Sequence, residues 1–483
     1  MKKWNKLFAL LSVALLVLFV AACGNGDDDT DTDTDTDIVS DGGVIERPTP
    51  EPLPPAGDGE EIIITYANWN LGTEEENNIE RQMIQAFMDA HPHIIVEIHE
   101  GVVAGEGSWE ERLAIAASIG NLPDVFMTND IGIHLQGGWA LDITDLANAD
   151  ADFNALPANT QALMMFNDRV YMVPFAQHMF GYFVNLDLFD SLNLDAPTHG
   201  FTVEQFEAAL RAVTDHGAGT IGTNHINYVA SWYPGAVNPN LGFFTFDGAN
   251  FHVDAPEMAA GLQLALEINN AGLAFGGVDY YERQELFGTG WDGQVFFDGN
   301  MGLKWDGTWS VANIAYQSDF NWEFIGVPGG RPMVTVDVFT IASTTEHAEA
   351  AYLLATWMGS GTEGFIQRME IAAEMGIVVN AIPISGNQGM LDQFWATMPV
   401  EGIGIAYENM ANALVDPNKV TPGWRDTRFY TDTGVAIGDN DNANSWFFFY
   451  QAQQGNVNFA DYLTRVNEAM QERFESIRSE LLD

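Results

Sequence analysis

Two apolar periods alternate along this chain. Ile62-Ile-Ile-Thr-Tyr66 is a β-branched and aromatic run that ends at the turn cluster Asn68-Trp-Asn-Leu-Gly72, so it reads as a strand. The spacing predicts a helix after it. Thr73 is placed to cap that helix, Glu74 to Glu76 suit its first turn, and Ile79, Met83 and Phe87 share one face before Pro92. His93-Ile-Ile-Val-Glu-Ile98 is the next strand. A short joint between helix and strand implies a β-α-β unit with parallel strands and a right-handed crossover. A second unit runs through a helix near Trp109 to Ile119 and the strand Asn121-Leu-Pro-Asp-Val-Phe-Met127. It too ends in polar residues, Thr128-Asn129-Asp130.

Extended segments follow at Val170-Tyr-Met-Val-Pro-Phe-Ala-Gln177 and Phe180-Gly-Tyr-Phe-Val184. Thr202-Val-Glu-Gln205 has the form of a capping box, with Phe201 placed to staple onto Phe206. Aromatics and glycines crowd between Tyr228 and Phe246. Met301, Leu303 and Trp305 alternate with Gly302, Lys304 and Asp306, a short strand broken at Asp306-Gly307. Thr308 or Asp306 is expected to cap a helix there, setting free N–H groups beside the Trp309 ring. Met333-Val-Thr-Val-Asp-Val-Phe339 is another strand, and Ser343-Thr-Thr-Glu346 another capping box. Its helix puts Ala348, Ala351, Tyr352 and Ala355 on one face. Asn380-Ala-Ile-Pro-Ile384 reads as a return connection, and a last amphipathic helix is predicted from Phe459 to Leu482. No internal repeat of solenoid period is present.

The N-terminus changes the picture from globular to exported. Lys2, Lys3 and Lys6 precede an uncharged run from Leu7 to Val20 and then Ala21-Ala22-Cys23, the layout of a secretory signal. The run is shorter than the ~20 residues of a spanning helix, so cleavage is expected. Val20-Ala-Ala-Cys23 resembles a bacterial lipobox, in which the cysteine carries the lipid. Cys23 is the only cysteine of the chain, which excludes a disulfide framework. Gly24-Asn-Gly-Asp onward, with its Asp-Thr alternation and the proline-rich stretch to Pro55, has little apolar surface to bury and reads as a disordered tether. It lacks the glycines and ligand spacing of a calcium loop.

Behind it stand ~420 residues, more than one core usually supports, so two domains are expected. Hydrophobic residues make up 47% and aromatics 12%, enough for a well-buried body. The formal charge is −50, and three of the 18 basic residues are leader lysines. Only Lys304 and Lys419 remain as lysines. A field of that sign repels phosphate backbones and anionic headgroups, which excludes nucleic acid as a partner. Acidity spread along the whole chain points to surface adaptation rather than to a site.

In open α/β sheets ligands gather at the carboxyl ends of strands, where Trp69, Asn70, Asn129 and Asp130 fall. Each has a plainer reading as a turn or capping residue. Trp309, with Asp306 beside it, couples a flat apolar face to hydrogen-bonding groups, which suits a sugar ring; the plainer alternative is a core residue at a strand–helix corner. Trp232 carries the same choice. A secreted glycoside hydrolase is one rival, because 68 acidic residues make carboxylate pairs easy to find. Metal capture is another, through His91, His93 and His99 or the pair Tyr280-Tyr281. Pro92 separates the first two histidines, and opposite parity turns His93 and His99 to opposite strand faces. No nucleophile elbow, phosphate loop or zinc-ligand spacing is present, so no catalytic residue, metal or cofactor is assigned.

Taken in order, these stretches resemble the family 1 extracellular solute-binding proteins, the sugar-type receptors of bacterial ATP-driven importers, over nearly all of residues 61 to 480. The resemblance rests on Leu122-Pro-Asp-Val125, Leu135-Gln-Gly-Gly-Trp-Ala-Leu-Asp-Ile-Thr-Asp-Leu146, Val170 to Pro174 with Tyr182 to Phe189, and Phe297-Asp-Gly-Asn-Met-Gly to Gly307-Thr-Trp309. It implies an α/β fold of two lobes of the periplasmic-binding-protein type II, each a sheet flanked by helices. Crossings are expected near Val173 to Tyr182, Met333 to Asp337 and Gly376 to Ile384. The expected organisation is a signal peptide (1–22), a tether (23–60), a first lobe (61–174 and 338–376) and a second lobe (175–337 and 377–483). Carried over by position, Trp309 becomes a stacking aromatic, while Trp69, Asn129 and Asp130 become first-lobe contacts. Gln177 and Asp337 fall at the crossings, and Trp232, Trp395 and Trp424 in the second lobe. The implied protein is a monomer and not an enzyme. It is held outside the cell membrane by lipid on Cys23 and hands a small polar solute, a sugar foremost, to permease subunits of an ABC importer. The long aromatic tail from Trp424 to Phe449 departs from common members.

Overall fold

The computed structural model describes residues 61–482. The leader, Cys23 and the tether lie outside the described residues. Strand Ile62–Ala67 pairs in parallel with Ile94–Ile98 and with Val125–Thr128, as two consecutive β-α-β units require. The helix between the first two strands begins later than the sequence pattern predicts. Thr73 and Glu76 form their capping box on a single short turn, Glu74–Glu76, and Asn77 then takes a left-handed φ of 41°. Asn78 caps the helix proper, Ile79–Ala90, by accepting from the Arg81 N–H. Met83 and Phe87 are fully buried on its inner face.

Two long strands, Val173–Asn185 and Met333–Ile341, run antiparallel to each other and through the middle of one nine-stranded sheet. At one end Val338–Ile341 pairs with Val125–Thr128. At the other, Phe180–Asn185 pairs with Met301–Gly307 and with Trp322–Gly326. The same two strands therefore serve both halves of the molecule. Hydrophobic residues sort accordingly. One core gathers Ile64, Tyr66, Phe126, Phe339 and Leu354 around the first three strands. Two more cover the strands of the other half: one with Tyr182, Trp232, Trp305, Trp424 and Phe448, the other with Phe183, Phe296, Phe324 and Phe394. The molecule is an α/β protein of two lobes joined by continuous strands. The third connection returns where Gln177 and Ile382 exchange backbone hydrogen bonds of 3.1 and 3.0 Å.

Capping chemistry is obeyed unevenly. Thr202 and Gln205 form their box at the start of helix Val203–Val213, and the Phe201 and Phe206 rings lie 6.3 Å apart. Ser343 does not cap the helix Ala348–Met358; its hydroxyl donates to the Gly138 carbonyl at 2.5 Å, and His347 takes the N-cap position without a side-chain bond. A loop oxygen drawn into a tertiary bond is lost to the helix that follows.

The last helix, Leu463–Leu482, buries Leu463, Val466, Met470 and Phe474 in the second lobe. Its far end reaches the other half. Leu481 packs against the first core, and the Arg478 guanidinium lies 5.6 Å from the Phe166 ring. Among the described residues no helix is long and apolar enough to cross a membrane.

Candidate functional site

Trp309 is 38% exposed, and its position follows from the two residues before it. Strand Met301–Gly307 ends in a tight turn, Thr308–Ser310, and helix Val311–Gln317 follows. Neither Asp306 nor Thr308 caps that helix, contrary to the expectation from sequence. Thr308 is buried, and its hydroxyl accepts from the Met179 N–H at 3.2 Å and meets His178 Nδ1 at 3.2 Å. Asp306 accepts from the Gly307 N–H and pairs with Lys304. Gly307 is required by close approach: a Cβ there would stand 2.3 Å from the indole, which folds back over the strand end. Trp309 thus gains a rigid seat, and no side chain caps the N–H groups at the helix end beside it.

The indole ends an aromatic ladder. It meets Phe180 edge-on at 5.2 Å and His178 at 5.5 Å. Phe180 stacks on Trp305 at 6.3 Å, and Trp305 stacks on Tyr228 at 4.9 Å with planes 19° apart. The middle is buried, Phe180 at 9% and Trp305 at 5%, whereas Tyr228 at the far end is 38% exposed. Sequence reasoning singled out Trp232, one turn along from Tyr228. Trp232 is wholly buried among Tyr182 and Phe206, and Trp424 is 2% exposed between Phe243 and Phe251. Neither ring has a face to offer, so both are corrected to core residues. Trp395, on helix Gln388–Thr397, packs beside Phe394 and Tyr407.

On the first lobe, Trp69 is half-buried, propped edge-on by Trp109 at 5.3 Å. Trp109 is itself fixed. It opens a helix whose start is set by the Ser108–Glu111 capping box, and its Nε1–H donates to the Met127 carbonyl at 2.8 Å. Asn70 is exposed in the turn held by Asn68 Oδ1. Asn129 is half-buried. Asp130 is 4% exposed and caps helix Ile131–Gln136 through the Gly132 N–H at 2.9 Å. Burial, helped by nearby Glu110, pushes its carboxyl up to about 6. Its first task is the capping one.

Between the lobes, parity decides which crossing residues face the aromatics. Thr335 lies opposite His178 and Asp337 opposite Ala176, so His178 and Asp337 share a sheet face. Gln177 lies on the other face, and its amide donates to the Pro383 carbonyl at 3.3 Å. His178 Nε2 stands 3.8 Å from Asp337 Oδ2. Burial lowers the His178 pKa and the Lys419 charge adds to that, against the pull of Asp337. Lys419 pairs with Asp337 and sits 5.2 Å from the centre of the Trp69 ring. Asp416, in the same loop, is pushed up to about 6 by burial.

The structure therefore brings together Trp69, Asp337 and Trp309, and adds His178, Tyr228 and Lys419. Lys419 carried a signal in its rarity, as one of two lysines beyond the leader. Tyr228 carried none that separated it from its aromatic neighbours. A surface cavity of about 670 Å³ lies elsewhere, between 186–196 and 320–322, past the outer end of strand Val173–Asn185. Among the described residues no group of three histidine, cysteine or carboxylate side chains is placed to hold a metal.

Comparison with known proteins gives a consistent outcome. The family profile of bacterial extracellular solute-binding proteins matches residues 72–360, well over half of the chain. A curated relative, the melibiose/raffinose/stachyose-binding protein MelE of Bacillus subtilis, is 24% identical over 168 residues, 34% of this chain and about a third (35%) of that protein's length. Among solved structures, the ABC substrate-binding protein Lmo0181 of Listeria monocytogenes, in complex with cycloalternan, is similar at a TM-score of 0.66 and 17% identity, covering 86% of this chain and 99% of that one. A solute-binding protein of Thermotoga lettingae bound with alpha-D-tagatose gives 0.63 at 13% identity, covering 86% and 100%.

Proposed function

This chain belongs to the bacterial extracellular solute-binding proteins, and we propose on that premise that it captures a neutral mono- or oligosaccharide between its lobes for an ABC importer. The observation that carries the reading is the pair of accessible indoles, Trp69 on one lobe and Trp309 on the other, on either side of polar groups from the crossing strands. An indole face covers the C–H side of a pyranose, while the hydroxyls at its rim need the donors and acceptors that His178, Asp337 and Lys419 provide. The sugar-binding names of the relative and of the similar structures support the same class. The guest leaves unaltered: the residues here bind and orient, and none is assigned to catalysis. Delivery to permease subunits, anchoring through lipid on Cys23 and action as a monomer complete the proposal. So does the lobe division at 61–174 with 338–376 and 175–337 with 377–483.

Calorimetric titration with melibiose and raffinose tests it. Micromolar affinity, about −8 kcal/mol, is the expected result. Mass spectrometry of solute released from gently purified protein identifies the natural guest. Cleavage of the added sugar, or release of a metal or peptide in its place, would overturn the reading.

A further inference from the structure

Residues 416–423 leave the second lobe and come back to it. Leu414 before them and Trp424 after them belong to the second-lobe core, whereas Val420 is buried in the core of the first. The excursion is bonded at its tip, where the Ile131 N–H donates to the Lys419 carbonyl at 3.1 Å. Lys419 is thus carried by one lobe and held by the other. Its ammonium pairs with Asp337 on the crossing strand Met333–Ile341 and lies 5.2 Å from the centre of Trp69. In a chain of net charge −50, a lysine serving solubility would face water. This one has 18% of its side chain exposed.

We propose that Lys419 is the positioning residue of the ligand site, tying Asp337 of the crossing strand to Trp69 of the first lobe so that the guest meets a charge-balanced wall. The proposal takes its ligand from the solute-binding reading, but its chemistry is testable without any ligand. Four groups surround His178: Asp337 at 3.8 Å, Lys419 beyond it, the Thr308 hydroxyl at 3.2 Å and the Trp309 ring at 5.5 Å. Asp337 is paired with the Lys419 ammonium, and that charge, with burial, favours the neutral imidazole against the pull of Asp337. Without it, the imidazole is the nearest group able to take up the missing positive charge.

The test is proton–carbon NMR of the histidine ring in the full mature chain. In the wild type and in Lys419→Arg, His178 is expected to titrate below the ordinary imidazole range, held down by burial and by the neighbouring positive charge. In Lys419→Met, which keeps the stem and removes the charge, the His178 titration should move to higher pH than in the wild type. Raffinose binding by the same variant should fall about tenfold at pH 8, where Asp337 is left bare, and recover in part near pH 5.5 as imidazolium replaces the ammonium. A His178 titration in Lys419→Met indistinguishable from wild type would overturn the proposal. If that variant does not fold, Lys419→Met/Asp337→Asn decides. Folding of the double variant supports charge balance as the role of Lys419, and its failure assigns Lys419 to packing alone. Absence of raffinose binding by the wild type would count against the sugar reading and leave the NMR result to judge this one.

Discussion

The two groups of candidate residues linked through Lys419, Asp337 and His178 are built differently. The first-lobe group is a single half-buried indole, Trp69, at the end of strand Ile62–Ala67 and propped by Trp109 forty residues on. The second-lobe group is a ladder, His178–Trp309–Phe180–Trp305–Tyr228, drawn from three segments that span 178 to 309. One is local and the other long-range. The difference divides one stack by burial: the rungs Phe180 and Trp305 pack inside the lobe, whereas the ends Trp309 and Tyr228 keep exposed faces, which the proposed reading assigns to the guest.

That division can be broken most directly at its middle. Trp305→Ala should cost about 3–5 kcal/mol of stability, as a large buried aromatic does, and urea unfolding would measure it. Trp309→Ala should cost less than about 1 kcal/mol of stability but about 2–3 kcal/mol of sugar affinity by calorimetry. Equal destabilisation by the two substitutions would mean that the ladder has no functional end. Asp416 beside Tyr228 offers a third handle. Burial raises its carboxyl from 3.8 to about 6, so ionisation opposes folding. The stability this group contributes is whole below about pH 4 and is lost as pH rises through about 6. Asp416→Asn should therefore stabilise the protein at pH 7 by about 1.5 kcal/mol, half of what two units would give in full burial, because the residue is partly open to solvent. The gain should vanish below about pH 4 in melts run across that range. Smallest is Tyr228→Ala, expected to weaken sugar binding by about 1 kcal/mol, with Tyr228→Phe restoring most of it if the ring and not the hydroxyl makes the contact.

Legibility followed the range of the interactions. The β-α-β units, the Thr202–Gln205 box and the buried face of Met83 and Phe87 were all written in residues a few positions apart. The place of Trp69 just past a strand end was readable for the same reason, since a strand end and a turn cluster are adjacent in sequence. Ser343 and Thr308 have the right chemistry for caps, yet their oxygens bond Gly138, His178 and Met179, partners more than 120 residues distant. Gln177 lies on the opposite sheet face from its neighbour His178: a strand crossing is easily placed in sequence, but its face depends on a register only pairing reveals. Trp232 and Trp424 failed because an indole that packs and an indole that binds are the same residue to a pattern of hydrophobicity.

What the sequence determined alone was the α/β alternation, the two-lobed family likeness and the strand end at Gly307, against which Trp309 folds back. Which aromatics are buried, which crossing residues share a face, and that Lys419 returns to touch Trp69 were decided only in three dimensions. The physical reason is that helix and strand propensities act over a few residues, whereas burial, ion pairing and ring stacking belong to whatever the folded chain brings within a few ångströms.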